Sequence, residues 1–215
     1  MATISKVNGK KITKIKYKGE IYDTGGGGSD WLKEYLDIAK DATYLFCGST
    51  SDRVTTWGYN LTYEILQKAL KYETTSSVTK MNSMFISCGN LDATPLINTS
   101  SVTNMSYMFS SCYKLETIDI THMNFTSISS TNAFAYNCYR LTKLIIRNME
   151  AIPVLNSNAF TNCYHFTGTT HETFNPTGAK DGRIYVPDDK VEELKAATNW
   201  SVYADIIVPL STLVE

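Results

Sequence analysis

A stacked α/β repeat, a short solenoid closed by different caps at its two ends, is the architecture encoded by this 215-residue chain. Two observations predict it. Phenylalanines recur at positions 85, 109, 134 and 160, spaced 24, 25 and 26 residues apart. Cysteines recur at 88, 112, 138 and 163, spaced 24, 26 and 25, each followed three residues later by Leu91, Leu115, Leu141 or Phe166. A period of this length marks folds in which one supersecondary unit cannot bury its apolar edge alone and does so only by stacking on the next.

Each unit begins near a Val-Thr-x-Met segment, Val78–Met81 in the first and Val102–Met105 in the second, and carries a Met-Phe or Ala-Phe pair before its cysteine. We expect that pair to form a turn of helix. After the cysteine comes a period-2 segment, in which alternate side chains point to opposite faces. Leu115, Ile118 and Ile120 then point inward, as do Leu141, Leu144 and Ile146. In the first unit the pattern weakens to Leu91, Thr94 and Leu96 around Pro95. One short strand per unit, stacked in parallel, predicts a curved parallel sheet. A degenerate earlier unit is visible at 42–47, with Phe46 lying 39 residues before Phe85. The excess fits an insertion over 57–72 whose Ile65, Leu66, Ala69 and Leu70 keep helical spacing, with Glu64 and Lys68 as an i,i+4 pair.

The flanks divide the rest. Residues 1–24 are expected to form a small β-meander, with Asn8-Gly9 turning Thr3–Val7 onto Lys10–Tyr17 and Lys18-Gly19 leading into Glu20–Tyr22. Residues 25–29, Gly-Gly-Gly-Gly-Ser, are a flexible linker. They lack the Gly-Lys-Ser/Thr ending of a phosphate-cradling loop. Residues 30–77 are assigned to a helical N-terminal cap, with Trp31, Leu32, Tyr35, Leu36 and Ala39 on one face, plus the degenerate unit. Residues 78–182 hold the repeats. Residues 183–215 make a mixed C-terminal cap, in which Ile184–Val186 is a last strand, Asp189 and Glu192 have capping-box spacing, and Trp200, Tyr203, Ile206 and Ile207 supply apolar cover.

Composition narrows the function. Charged residues are only 19% of the chain, and the net charge of -1 gives no footprint for nucleic acid. The charge is uneven, since residues 1–23 hold six lysines against Glu20 and Asp23. No apolar run is long enough to span a bilayer, and the first residues lack the apolar core of a secretory signal. The four in-register cysteines are expected to be a ladder of small buried hydrophobes. Adjacent rungs also stand within disulfide reach, so both redox states remain open. No Cys-x-x-Cys occurs, and Cys163 with His165 has no further ligands at zinc spacing. His122 is expected at a solvated turn. No acid–base or nucleophile motif stands out, so we expect neither an enzyme nor a cofactor or metal.

The surface best suited to contact is the outer face of the strands, formed by Glu116, Thr117, Asp119 and Thr121, then Thr142, Lys143, Ile145 and Arg147, with Asp92 and Ile97 from the first unit. The composition of the chain favours hydroxyls, amides and tyrosine over dense charge, which suits hydrogen-bonded contact with a glycan or a polar protein surface.

Residues 102–115, Val-Thr-Asn-Met-Ser-Tyr-Met-Phe-Ser-Ser-Cys-Tyr-Lys-Leu, resemble the BspA-type (Treponema-type) leucine-rich repeat. The Asn158-Ala159-Phe160 and Cys163 of the fourth unit are similar to that family's Ala-Phe-x-x-Cys core, and 184–210 is similar to its closing segment. The resemblance covers about 78–211. It implies a short leucine-rich-repeat array without catalytic residues, of a kind common among surface adhesins and present in phage virion proteins. The expected function is that of a non-catalytic bacteriophage virion component, a fibre, baseplate or capsid decoration. Residues 1–24 would anchor it to other virion proteins, and the repeats would meet a host-surface glycan or protein. The alternative is a bacterial cell-surface adhesin. Self-association into a homo-oligomer is left open.

Overall fold

The computed structural model describes residues 6–7, 10–11, 14–17, 20–23, 40, 42–43, 45–46, 63, 75–120, 123–125 and 127–214. At the N-terminus β1 (Lys6–Val7) pairs antiparallel with β2 (Lys10–Lys11), and β3 (Lys14–Tyr17) with β4 (Glu20–Asp23). The expected single strand Lys10–Tyr17 is therefore two strands in two separate ladders. Each ladder has its own register, Val7 opposite Lys10 and Tyr17 opposite Glu20. The turns at Asn8-Gly9 and Lys18-Gly19, the glycine linker and the helix expected from Trp31 to Ala39 lie outside the described residues, as does the insertion at 57–72 apart from Tyr63, which is helical.

The repeats are built on an alternation of hydrogen bonds. In the first unit the N–H groups of Met81, Ser83, Phe85 and Ser87 donate to the carbonyls of Asn104, Ser106, Met108 and Ser110 in the second, at 2.7–3.2 Å. The N–H groups between them, on Met84, Ile86 and Cys88, instead close local turns onto the residue three back, Met81, Ser83 and Phe85. The second unit repeats the pattern toward the third: Met105, Tyr107, Phe109 and Ser111 donate to Ser130, Asn132, Phe134 and Tyr136. Ala135 and Asn137 continue it to Ala159 and Thr161. The degenerate unit joins in the same way, with Ala42 donating to Lys80 and Phe46 to Met84.

The expected turn of helix in the Met-Phe segment is absent for the same reason. A helix needs consecutive right-handed residues and sends each N–H back to its own segment. Here Ser83, Tyr107 and Ala133, and then Ser87, Ser111, Asn137 and Asn162, sit at positive φ of 50–62°. These left-handed residues aim every second N–H out of its own unit. Among the described residues of the four units a helical turn forms in the fourth, α1 (Tyr164–Thr167), after Cys163, and Gly168 at φ 71° ends it.

The core follows the ladder. Phe85 and Phe109 are fully buried, and the rings of Phe46, Phe85 and Phe109 stack 5.5 Å apart within 5° of parallel. The third unit departs from the expected phenylalanine column. The cysteine thiols of the four units donate in turn to the carbonyls of Phe46, Phe85, Phe109 and Ala135 at 3.0–3.3 Å. Ala135, not Phe134, is thus the third unit's counterpart of Phe85 and Phe109. Phe134 occupies the position of Met84 and Met108, and its ring meets Phe109 edge-on at 89°. The fourth unit reverses the order to Ala159-Phe160, so large and small side chains alternate across the junction and all four stay buried. Cys88, Cys112, Cys138 and Cys163 are all fully buried.

The sheet lies on another side of the stack. Strands β5 (Thr117–Asp119), β6 (Lys143–Ile145), β7 (Arg183–Val186) and β8 (Ile207–Pro209) pair in parallel in chain order. Ile118, Leu144, Ile184 and Ile207 align along the inner face, none more than 2% exposed. The first unit contributes no strand. Past Pro95 its alternation slips by one residue, so Leu96 is 41% exposed and Ile97, expected outside, is fully buried. Proline cannot donate to a ladder. The hydroxyl of Thr94 fills the gap, accepting from the Asp119 N–H at 3.0 Å and donating to the Asp119 carbonyl at 3.1 Å. Thr75 and Thr99 clip Asn98 and Asn124 in the same two-way manner.

At the far end β7 is not the last strand, because β8 extends the sheet past it. Between them runs α2 (Val191–Ala196). The expected capping box does not form: a 3-10 turn at Asp188–Lys190 makes Lys190 the N-cap residue, without a side-chain cap. Asp188 instead accepts from the Ser211 N–H at 3.0 Å. The expected apolar cover is present, with Trp200 and Tyr203 lying on Phe160 and the Trp200 Nε1–H donating to the Pro153 carbonyl at 2.8 Å. Together these elements make a repeat-like α/β fold with a small parallel sheet and few helices.

Two outcomes follow. Phe109→Ala should lower stability by about 3–5 kcal/mol in urea denaturation, the usual cost of deleting a buried aromatic ring; a loss below about 1 kcal/mol would contradict its place in the column. Tyr107→Asn should raise stability by up to about 1 kcal/mol, since the left-handed region strains most side chains and tolerates asparagine.

Candidate functional site

The outer face of the sheet has two rows, dictated by the strand register. Thr117, Lys143 and Arg183 form one; Asp119, Ile145, Tyr185 and Val208 form the other. The stack thus brings together five of the expected residues directly, Glu116, Thr117, Asp119, Thr142 and Lys143, with Arg147 just beyond. Glu116 is exposed and ends the approach to β5, where its carbonyl accepts the N–H groups of Thr142 and Lys143 and the Thr142 hydroxyl. Its carboxylate faces the Arg140 guanidinium at 3.7 Å. Arg147 Nε stands 3.8 Å from an Asp119 carboxylate oxygen, with both side chains about one-third exposed.

Ile145 requires a correction. Its side chain points outward by register but is only 6% exposed. It belongs to a central strand, between Asp119 and Tyr185 of the neighbouring strands. Ile97 leaves the face for the core, as described above. Thr121 and His122 lie outside the described residues, and Asp92 is exposed, accepting the Tyr63 N–H at 3.1 Å. The strand pattern of 115–147 could not reveal Arg183 and Tyr185. They belong to the chain's closing segment, and only the pairing of β7 with β6 puts them beside Lys143 and Ile145. Their signal in the sequence was the alternation of Arg183–Val186 itself, which buries Ile184 and Val186 and turns Arg183 and Tyr185 out.

The face therefore offers Lys143, Arg147 and Arg183 as cations, Asp119 and Glu116 as carboxylates, and the hydroxyls of Thr117, Thr142 and Tyr185. These are hydrogen-bonding groups on a firm scaffold. Exposed ion pairs of this sort contribute about 0–1 kcal/mol each to stability.

Other groups were natural candidates for chemistry. The His165 Nδ1 lies 2.7 Å from Asp181, but no nucleophile is paired with it in the described structure. An apolar crevice of about 10 Å³ lies among Ile120, Phe134, Leu144, Phe160 and Trp200, where the third and fourth units meet. That is room for one water at most. Among the described residues no group of three His, Cys, Asp or Glu could hold a metal ion, and no helix is long and apolar enough to cross a membrane. The thiols are the most perturbed acids. Burial pushes Cys138 up to about 12 and raises Cys112 and Cys163 well above the ordinary thiol range. A neutral thiol is a poor nucleophile and a poor metal ligand.

The family model described as "Mycoplasma protein of unknown function, DUF285" matches residues 59–173, slightly more than half of the chain. No curated protein matches the chain, and no solved structure does.

The thiols give a test with a defined sign. In the native protein Cys88, Cys112, Cys138 and Cys163 should resist alkylation and react on unfolding; rapid native labelling of all four would refute the buried ladder. An unfolded thiol titrates near about 8.5, and Cys138 in the fold titrates at about 12. The folded value is the higher one. The thiol contribution to stability is thus full below about pH 8.5 and is lost as pH rises toward the folded value. Burial likewise raises Tyr203 to about 12, which acts in the same direction. Denaturation midpoints should decline above that pH, and a flat profile up to pH 11 would contradict the assignment.

Proposed function

We propose, from the premise that this chain belongs to the family of Mycoplasma proteins of unknown function matched over its central half, that it is a non-catalytic binding module. In this reading it is a short leucine-rich-repeat solenoid of the BspA type, and the outer face of its sheet makes the functional contact. The observation that carries the proposal is the second row of that face. Register aligns Asp119, Tyr185 and Val208 across the buried Ile145, and Arg147 stands beside Asp119, so polar and aromatic groups from separate strands are assembled into one surface. Solenoids present their ligands with a surface of this kind, built from one short strand per unit. Its mix of guanidinium, ammonium, carboxylate and hydroxyl suits a host-surface glycan or a polar protein surface.

The setting we propose is a bacteriophage virion, as a fibre, baseplate or capsid-decorating component, with the lysine-rich segment 1–24 contacting other virion proteins. A second reading, a bacterial cell-surface adhesin, is favoured by the family description, which names a bacterial genus. Both readings use the same face.

Replacing Asp119, Lys143 and Arg147 together with Ala should leave the fold intact, because partly exposed surface positions tolerate such changes to within about 0.5 kcal/mol each. Binding of the folded triple variant to host cells should fall at least tenfold. Undiminished binding would show that the face is architectural. Loss of binding after the cells' glycans are oxidised with periodate indicates a glycan partner, and loss after protease treatment a protein partner.

A further inference from the structure

A second feature of the surface is independent of the sheet face. The residue after each cysteine is Gly89, Tyr113, Tyr139 and Tyr164 in the four units. The three tyrosines stand in one column. Tyr113 and Tyr139 have ring centroids 5.2 Å apart at 25°, and Tyr139 and Tyr164 are 5.4 Å apart at 20°. The loop between Gly168 and Gly182 closes the column at its far end. Asn175, buried there, donates to the carbonyls of Tyr164 and Ala179 and holds His171 and Phe174 against the tyrosines. The His171 ring lies 4.7 Å from Tyr164 and 4.9 Å from Phe174.

The geometry limits what this column can do. An aromatic cage needs rings set at steep angles around a shared space, whereas every pair in this cluster is inclined by less than 40°. The ring faces are turned on one another, which leaves edges and phenol groups outward. Tyr113 is 38% exposed, and Tyr139 and Tyr164 are half-buried. Burial, and then the neighbouring phenols of Tyr113, Tyr164 and Tyr136, raise the Tyr139 pKa above the ordinary phenol value. Stacked tyrosine rings, about 5 Å apart, at least partly exposed and contributed by successive repeat units, are arranged for coupling with each other.

We propose that Tyr113 and Tyr139 are an oxidative cross-linking site, joined as dityrosine when a peroxide-driven haem peroxidase acts on the folded protein. Each phenol gives up one electron and one proton to become a phenoxyl radical. The two radicals form a carbon–carbon bond between ring positions ortho to their oxygens, and the two ring hydrogens at that bond move to the oxygens through solvent. The protein loses two hydrogens in all, and one hydrogen peroxide is reduced to two waters. Tyr113–Tyr139 is the favoured pair because its rings are nearer and Tyr113 is the most exposed of the three, whereas Tyr164 also packs its ring on His171 at 4.7 Å. The bond would tie the second unit to the third and lock the stack against opening at that junction.

The full-length protein is treated with peroxidase and hydrogen peroxide at low protein concentration and followed by dityrosine fluorescence, intact mass and peptide mapping. The expected product is a monomer lighter by two hydrogens, with Tyr113 joined to Tyr139 and a higher urea midpoint. Tyr139→Phe and Tyr113→Phe keep the ring stack but remove a phenol, and each should cut the yield at least tenfold, whereas Tyr107→Phe, off the column, should leave it unchanged. Oxidation in concentrated urea should give little of this linkage. The proposal is overturned if no dityrosine forms, if the linkage persists in Tyr139→Phe, or if it forms only between molecules and disappears on dilution.

Discussion

Every second backbone N–H in the turn segments leaves its own unit and bonds to the next, and the rest of the structure depends on that arrangement. Buried backbone polar groups must be paired. A helix would satisfy them within one unit and leave neighbours joined by side chains alone. Here the left-handed residues at 83, 87, 107, 111, 133 and 137 turn alternate N–H groups outward. The groups between them are satisfied by turns three residues long. Each unit is therefore incomplete without its successor, and the stack grows by hydrogen bonds as much as by apolar contact. Strained backbone angles are maintained because two sets of bonds require them.

That ladder also explains the cysteines. A residue at this position must be small, because the next unit lies one rung away, and it must tolerate a backbone carbonyl nearby. A thiol meets both demands, packing as a hydrophobe while its Sγ donates weakly to the carbonyl of the unit before. The same close spacing of rungs brings Tyr113, Tyr139 and Tyr164 into ring contact on the surface. An interior column of thiols and an exterior column of phenols thus come from adjacent positions of one repeat.

The sheet is governed by how its edge is closed. Proline at 95 denies the first unit a strand, and Thr94 bonds both backbone groups of Asp119 with one hydroxyl. This matters at the proposed contact face, because Asp119 sits at the start of the outer row and its backbone is held from the edge side. At the other end Trp200 and Tyr203 cover Phe160 while β8 extends the sheet. The two ends are closed by unrelated means, a side chain at one and an added strand at the other.

The unit length, the number of full units, the buried phenylalanines and cysteines and the inward residues of β5 and β6 were legible in the sequence, because stacking imposes one environment on every copy of a position and spacing records it. Most of the proposed contact face was legible for the same reason, since period-2 alternation assigns Thr117, Asp119 and Lys143 to one side. Tertiary structure decided what no spacing carries. The exchange of Phe134 and Ala135 depends on which residue meets the next unit's carbonyl, and the one-residue difference between the phenylalanine and cysteine spacings was its only trace. The slip that buries Ile97 depends on Pro95 having no N–H, and the covering of Ile145 on its strand having neighbours on both sides. The arrival of Arg183 and Tyr185 beside Lys143 depends on a strand pairing across a long loop. Local pattern reports the face on which a side chain stands, whereas its neighbours across the ladder are set by backbone hydrogen bonds that form only when the whole stack is assembled.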